Sequence, residues 1–165
     1  MFGKRRRDAA QQDATSTTGT TSSSDEYIAP LARVPLFVDL SKRELQRLAG
    51  AAVVRVYDAG DVLVRQGQPG VGLFVILAGG TRVTQQSEGG DLRELGQLGA
   101  GEVFGEMSLL DDLPRSATVT ATAPTQALLI PVYDFRAALH EEPDIAIRLL
   151  AALSRRLRRS ELHQV

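Results

Sequence analysis

The sequence predicts a mainly β fold, closed or double-layered, with helices at both ends. Short β-rich runs recur between residues 53 and 130 with glycines between them. Their connections are mostly too short to hold the crossover helices of a parallel sheet. After Pro131 the apolar residues fall at helical spacing, so the chain closes on helices.

The elements follow in order. Residues 1 to about 26 read as a disordered basic and Ser/Thr-rich tail. Lys4 to Arg7 is a run of four positive charges, and nine of the ten residues from Thr15 to Ser24 are Ser or Thr. Such a stretch buries too little apolar surface to offset its chain entropy. A single domain occupies 27 to 165. Leu31, Val34, Leu36, Phe37 and Leu40 lead into Ser41-Lys42-Arg43-Glu44, the pattern of a helix capping box, and a short helix runs to about Gly50. Strand-like runs are Val53 to Tyr57, Asp61 to Arg65, Leu73 to Leu77, Thr81 to Gln85, Leu92 to Leu98, Thr118 to Ala121 and Ala127 to Ile130. Val132 to His140 makes one short helix. Pro143, a favoured first-turn residue, opens a second, in which Ile145, Leu149, Leu150, Leu153 and Leu157 recur at helical spacing.

Composition narrows the function. The 165 residues are 43% hydrophobic and 24% charged, as in a soluble domain with a real core. No run approaches the roughly 18 apolar residues of a membrane span, and the longest, Leu73 to Ala78, is strand-sized. The basic start is not followed by an apolar stretch, so a cytoplasmic address is expected rather than a secretory leader. With no cysteine, disulfides, thiolate zinc sites and thiol nucleophiles are excluded. His140 and His163 both lie in helical sequence near the C-terminus and supply neither a metal-binding jelly roll nor a Ser-His-Asp hydrolase. No enzyme is expected. The net charge of -1 is uneven: residues 27 to 150 carry 11 Lys/Arg against 15 Asp/Glu, and Arg155, Arg156, Arg158 and Arg159 form a second basic cluster. A solvated tail and a solvated helix face are the ordinary reading of such clusters.

One segment interrupts the strands with chemistry: Gly101-Glu102-Val103-Phe104-Gly105-Glu106-Met107-Ser108-Leu109-Leu110-Asp111-Asp112-Leu113-Pro114-Arg115-Ser116-Ala117-Thr118-Val119. Gly105 lets the backbone approach a ligand closely, and the turn of helix from Glu106 offers amides to an anion. Arg115 returns with a fixed charge and two parallel donors, which suits a phosphate. Glu106 has the wrong sign for phosphate but would accept hydrogen bonds from sugar hydroxyls. On pattern alone a second reading stands beside this one, in which Glu106 and Arg115 pair with each other across the loop.

Phe104-Gly105-Glu106-Met107-Ser108-Leu109-Leu110 followed by Pro114-Arg115-Ser116-Ala117-Thr118-Val119 resembles the phosphate-binding cassette of cyclic nucleotide-binding domains, as found in catabolite activator and protein kinase regulatory proteins. Ala59 to Gly67 resembles the family's second-strand motif, Leu73 to Gly79 its next strand, and Phe135 to Leu157 its two C-terminal helices, so residues 31 to 162 are covered. Val71 is a departure, standing where many members carry an aspartate. The resemblance implies a β-roll of the jelly-roll type with a short N-terminal helix, a short cassette helix and two C-terminal helices. It also implies that Glu106 binds a ribose 2′-hydroxyl and Arg115 the cyclic phosphate. The backbone around Met107, Ser108 and Ala117 would complete the cradle, and Gly105 permits the close approach. No cofactor is implied beyond the ligand, cAMP or cGMP.

Ser116 stands at a position used by members that read either nucleotide, so it does not choose between them; a strand-start hydroxyl bonded to backbone is its other reading. Ser160 falls where a hydroxyl residue contacts adenine in catabolite-activator members and tilts the expectation slightly towards cAMP, although a solvent-facing serine near a chain end fits it equally. The sequence holds no DNA-reading helix-turn-helix after the last helix, so DNA binding is not expected. A regulatory module remains, one that passes a ligand-dependent change to a protein partner. The alternative is an interaction scaffold on the same fold that has lost nucleotide binding. The stripe Ile145, Leu149, Leu153 and Leu157 offers a face for a homodimer, with packing on its own barrel taking precedence.

Overall fold

A computed structural model describes residues 24–162, with the side chains of 156 and 159–162 outside that description. The tail expected over 1 to 26 therefore lies outside the described residues except for its last three. Those three, with Tyr27, form a 3-10 turn, Ser24–Tyr27, ahead of the expected start of order. Burial of the Tyr27 ring anchors the turn, and Asp25 Oδ1 accepts from Gln46 Nε2 at 3.4 Å.

Helix α1 (Ile28–Ala32) and a 3-10 turn at Pro35–Phe37 precede α2 (Lys42–Ala51). The capping box forms as the sequence implies: Ser41 Oγ accepts from the Glu44 amide at 3.3 Å, and Glu44 Oε2 accepts from the Ser41 amide at 2.6 Å. The strands are β1 (Val53–Tyr57), β2 (Val62–Val64), β3 (Gly72–Ala78), β4 (Gly80–Gln86), β5 (Leu92–Gly99), β6 (Val103–Phe104), β7 (Thr118–Ala121) and β8 (Thr125–Pro131). Helix α3 (Glu106–Asp111) lies between β6 and β7, and α4 (Val132–Glu141) and α5 (Pro143–Leu162) close the chain.

Two four-stranded antiparallel sheets, ordered β1-β8-β3-β6 and β2-β7-β4-β5, make the mainly β roll that the sequence predicts. The first sheet is covered on both faces, so β3 and β8 read as nearly unbroken apolar runs rather than alternating ones. On one face Leu73, Val75, Leu128 and Ile130 pack with Leu31, Phe37, Leu48, Phe135, Ile145 and Leu149 of the helices. On the other, Phe74, Ile76, Phe104 and Leu129 fill the roll with Leu63, Val64, Val119 and Ala121. Strand β6, which the sequence does not reveal, has only two residues. It exists because Val103 and Phe104 pair with Val75 and Phe74 of β3, and Ile76 bonds the backbone of Gly101 and Glu102 just before it.

The apolar stripe of α5 divides. Ile145 and Leu149 are buried in the core and Leu153 is half-buried, whereas Leu157 is exposed. Packing in the core therefore accounts for the first part of the stripe only.

Candidate functional site

Three backbone segments meet around Arg115: the β2–β3 loop, the start of α3 and the lead into β7. The loop is tied to the lead by backbone bonds. The Arg115 amide donates to the Gln68 carbonyl and the Gly67 amide to the Arg115 carbonyl, each at 2.8 Å. Gln66 extends the tie, its amide donating to Thr118 Oγ1 at 3.0 Å and its side chain bonding both backbone groups of Gln86. Gly70 stands against Ser108: a Cβ there would approach the Ser108 Cβ to 2.5 Å.

Arg115 is 5% exposed. Nη2 donates to the Gly72 carbonyl at 2.6 Å, and the cation lies 5.9 Å from the centre of the Phe74 ring, which is itself stacked on Phe104 at 4.9 Å. Nε and Nη1 are buried and have no hydrogen-bond partner among the described residues. Burial pushes the guanidinium below its usual pKa and the charge of Glu106 opposes that push. Arginine remains cationic through such a shift, so the site holds a buried positive charge with two donor atoms unsatisfied. Such an arrangement is costly unless an acceptor arrives.

Gly105 caps α3 in the left-handed region, at φ 88°. Any side chain there would be strained and its Cβ would collide with Nη1 of Arg115. Glu106, the first residue of α3, is 9% exposed. It lines a cavity of about 680 Å³ whose other walls include Leu36, Leu98, Val103, Leu153 and Arg155. Residues of α5 thus share a cavity with Glu106. An ion pair between Arg155 and Asp39 lies beside it.

A family model for the cyclic nucleotide-binding domain matches residues 54–142. The chain belongs to the cyclic nucleotide-binding domain family. The cyclic AMP receptor protein of Thermus thermophilus is 38% identical over 128 residues, covering 78% of this chain and 59% of that protein. The cGMP-dependent protein kinase egl-4 of Caenorhabditis briggsae is 39% identical over 95 residues, 57% of this chain and 13% of the kinase. Both curated relatives are longer than the part this chain spans. Among solved structures, the N-terminal domain of a transcriptional regulator from Streptomyces coelicolor A3(2) superposes with a TM-score of 0.72 at 34% identity, covering 79% of this chain and 94% of that one.

In this cyclic nucleotide-binding domain Gly105, Glu106, Ser108 and Arg115 come together, with Ser108 and Arg115 buried side by side near Gly70. Met107 faces outward, 62% exposed, so its side chain stands apart from this cluster. Ser116 is exposed and Ala117 half-buried; the Ser116 carbonyl accepts from Gln85 Nε2 at 3.0 Å. The Ser160 side chain lies outside the described residues. Gly70, Gly72, Phe74 and Gln85 were missed by sequence reasoning. Of these Gly70 carried the available signal, because a Cβ there would meet Ser108 and the Arg115 guanidinium; Gly72 opens β3, where a Cβ would instead meet the Ile130 carbonyl and Leu129. No described helix is long and apolar enough to cross a membrane.

Proposed function

We propose that this chain binds a cyclic nucleotide monophosphate, cAMP in preference to cGMP, as a regulatory sensor in the cytoplasm that passes a ligand-dependent change to a protein partner. The observation that carries the reading is the buried Arg115 side chain beside Gly105, whose Nε and Nη1 have no hydrogen-bond partner among the described residues. An interaction scaffold has no use for such a group, because stranded buried charge lowers stability.

In this reading Arg115 takes the cyclic phosphate, and the backbone of Met107, Ser108, Ser116 and Ala117 adds donors around it. Gly105 leaves room for the approach, and Glu106 accepts from the ribose 2′-hydroxyl. The cavity that runs from Glu106 to Leu153 and Arg155 supports placing the base towards α5, whose Ser160 we assign to the adenine edge. The ligand shifts a population of α5 positions only by as much as it binds one of them better. The chain itself performs no chemistry on the nucleotide. Two exposed residues of α5, Ile147 and Leu150, support a second copy as a further partner through this helix.

Isothermal titration of the purified chain with cAMP and cGMP tests the proposal. Micromolar binding, tighter for cAMP, is expected. No heat with either nucleotide from folded, nucleotide-free protein overturns it.

A further inference from the structure

We infer that Arg136 is a positioning residue for the ligand cradle: from α4 it holds the far end of the cassette helix, and so sets where Glu106 and Ser108 stand. The inference rests on the reading of residues 105–117 as that cradle.

Helix α3 has six residues, too few to persist through its own hydrogen bonds. No side chain caps its start at Gly105, and its last turn contains no basic residue of its own. Of its apolar side chains Leu109 is buried, while Met107 and Leu110 face outward. Its C-cap, Asp112, sits at φ 59°, ψ 10°, and among the described residues it is the sole non-glycine at positive φ. A residue stays in that strained region only where its surroundings hold it.

Two side chains hold it: Asp111 Oδ1 accepts from the Leu113 amide at 3.0 Å within the turn, and Arg136 ties the turn to the rest of the fold. Its Nη2 donates to the Leu109 carbonyl at 3.1 Å and to Asp112 Oδ1 at 2.5 Å. The first bond satisfies a carbonyl that the helix leaves open at its end, and the cation complements the negative end of the helix dipole. Arg136 is itself well anchored, since its neighbour Phe135 is 1% exposed in the core. Asp112 lies three residues before Arg115, so one contact restrains α3 on one side and the return to Arg115 on the other. Because the Arg136–Asp112 pair is largely exposed, with side chains 38% and 76% accessible, it adds little to global stability. Its effect is local to the cassette helix and the return to Arg115.

The experiment is amide hydrogen exchange on the full ligand-free chain, with cAMP dissociation measured alongside, for wild type, Arg136→Ala, Arg136→Lys and Asp112→Asn. In Arg136→Ala, exchange at residues 106–112 is expected to rise about tenfold while β3 and β8 stay protected. cAMP is expected to leave about five to twenty times faster, and Arg136→Lys to restore most of both effects. Wild-type exchange at 106–112 in Arg136→Ala overturns the inference, as does an increase spread equally over the barrel, or a local increase with an unchanged cAMP off-rate. If wild type binds neither cAMP nor cGMP, the ligand reading falls, while exchange still decides whether Arg136 holds the helix.

Discussion

Nη1 of Arg115 occupies the space where a Cβ on residue 105 would stand, so the arginine and the glycine are fitted to each other. The backbone at 105 is left-handed, and the guanidinium presses against its bare Cα.

Gly105→Ala therefore strains the backbone and displaces the cation in one change. We expect a loss of about 1 to 3 kcal/mol in stability together with abolished cAMP binding. Urea unfolding and titration calorimetry on the same preparation check both parts.

Arg115→Met separates binding from stability. The variant removes an unsatisfied buried charge, so its Tm without ligand is expected to equal or exceed that of wild type. Binding is expected to weaken by about 2 to 5 kcal/mol, thirtyfold or more in Kd. Thermal shift with and without cAMP reads both quantities, and a Tm well below wild type in the absence of ligand contradicts the account of Arg115.

Glu44 gives the acid limb of stability a defined contributor. Burial would raise its pKa, but the backbone and hydroxyl bonds of Ser41 and the charge of Arg148 outweigh that and hold it below the usual value of 4.5. The folded state thus binds its proton more weakly than the unfolded chain. The stabilisation is present above about pH 4.5 and is lost as pH falls through the lower folded value. Glu44→Gln should flatten that part of the stability curve, measured by urea midpoints between pH 3 and 6.

Phe135 seats α4 on the first sheet. It is almost fully buried between the helices and β3. Phe135→Ala should cost about 3 to 5 kcal/mol, read as a lower urea midpoint with an unchanged slope. Because Arg136 is its neighbour, cAMP affinity should also drop, more than in a distant core variant such as Leu48→Ala.

Much of this protein is written in local patterns. The Ser41–Glu44 box, the helical spacing after Pro131 and the glycine-bounded strands depend only on residues close in sequence, and the structure repeats them with shifts of one or two residues. The cassette is equally local: Gly105, Glu106 and Arg115 are separated by a short helix and a turn, so their types and spacing already suggest an anion beside a sugar. What tertiary structure decided involves groups that leave no such trace. Gly72 receives Arg115 through a backbone carbonyl, which every residue has, so no residue type announces it. Strand β6 is two residues long and is defined by its partner β3. Leu157 continues the apolar period of Leu149 and Leu153 yet stands exposed, because periodicity records which face a residue shares and not how far the core beneath that face extends. The contact of Arg136 with Leu109 and Asp112 spans more than twenty residues, and only the packing of α4 beside α3 brings it about.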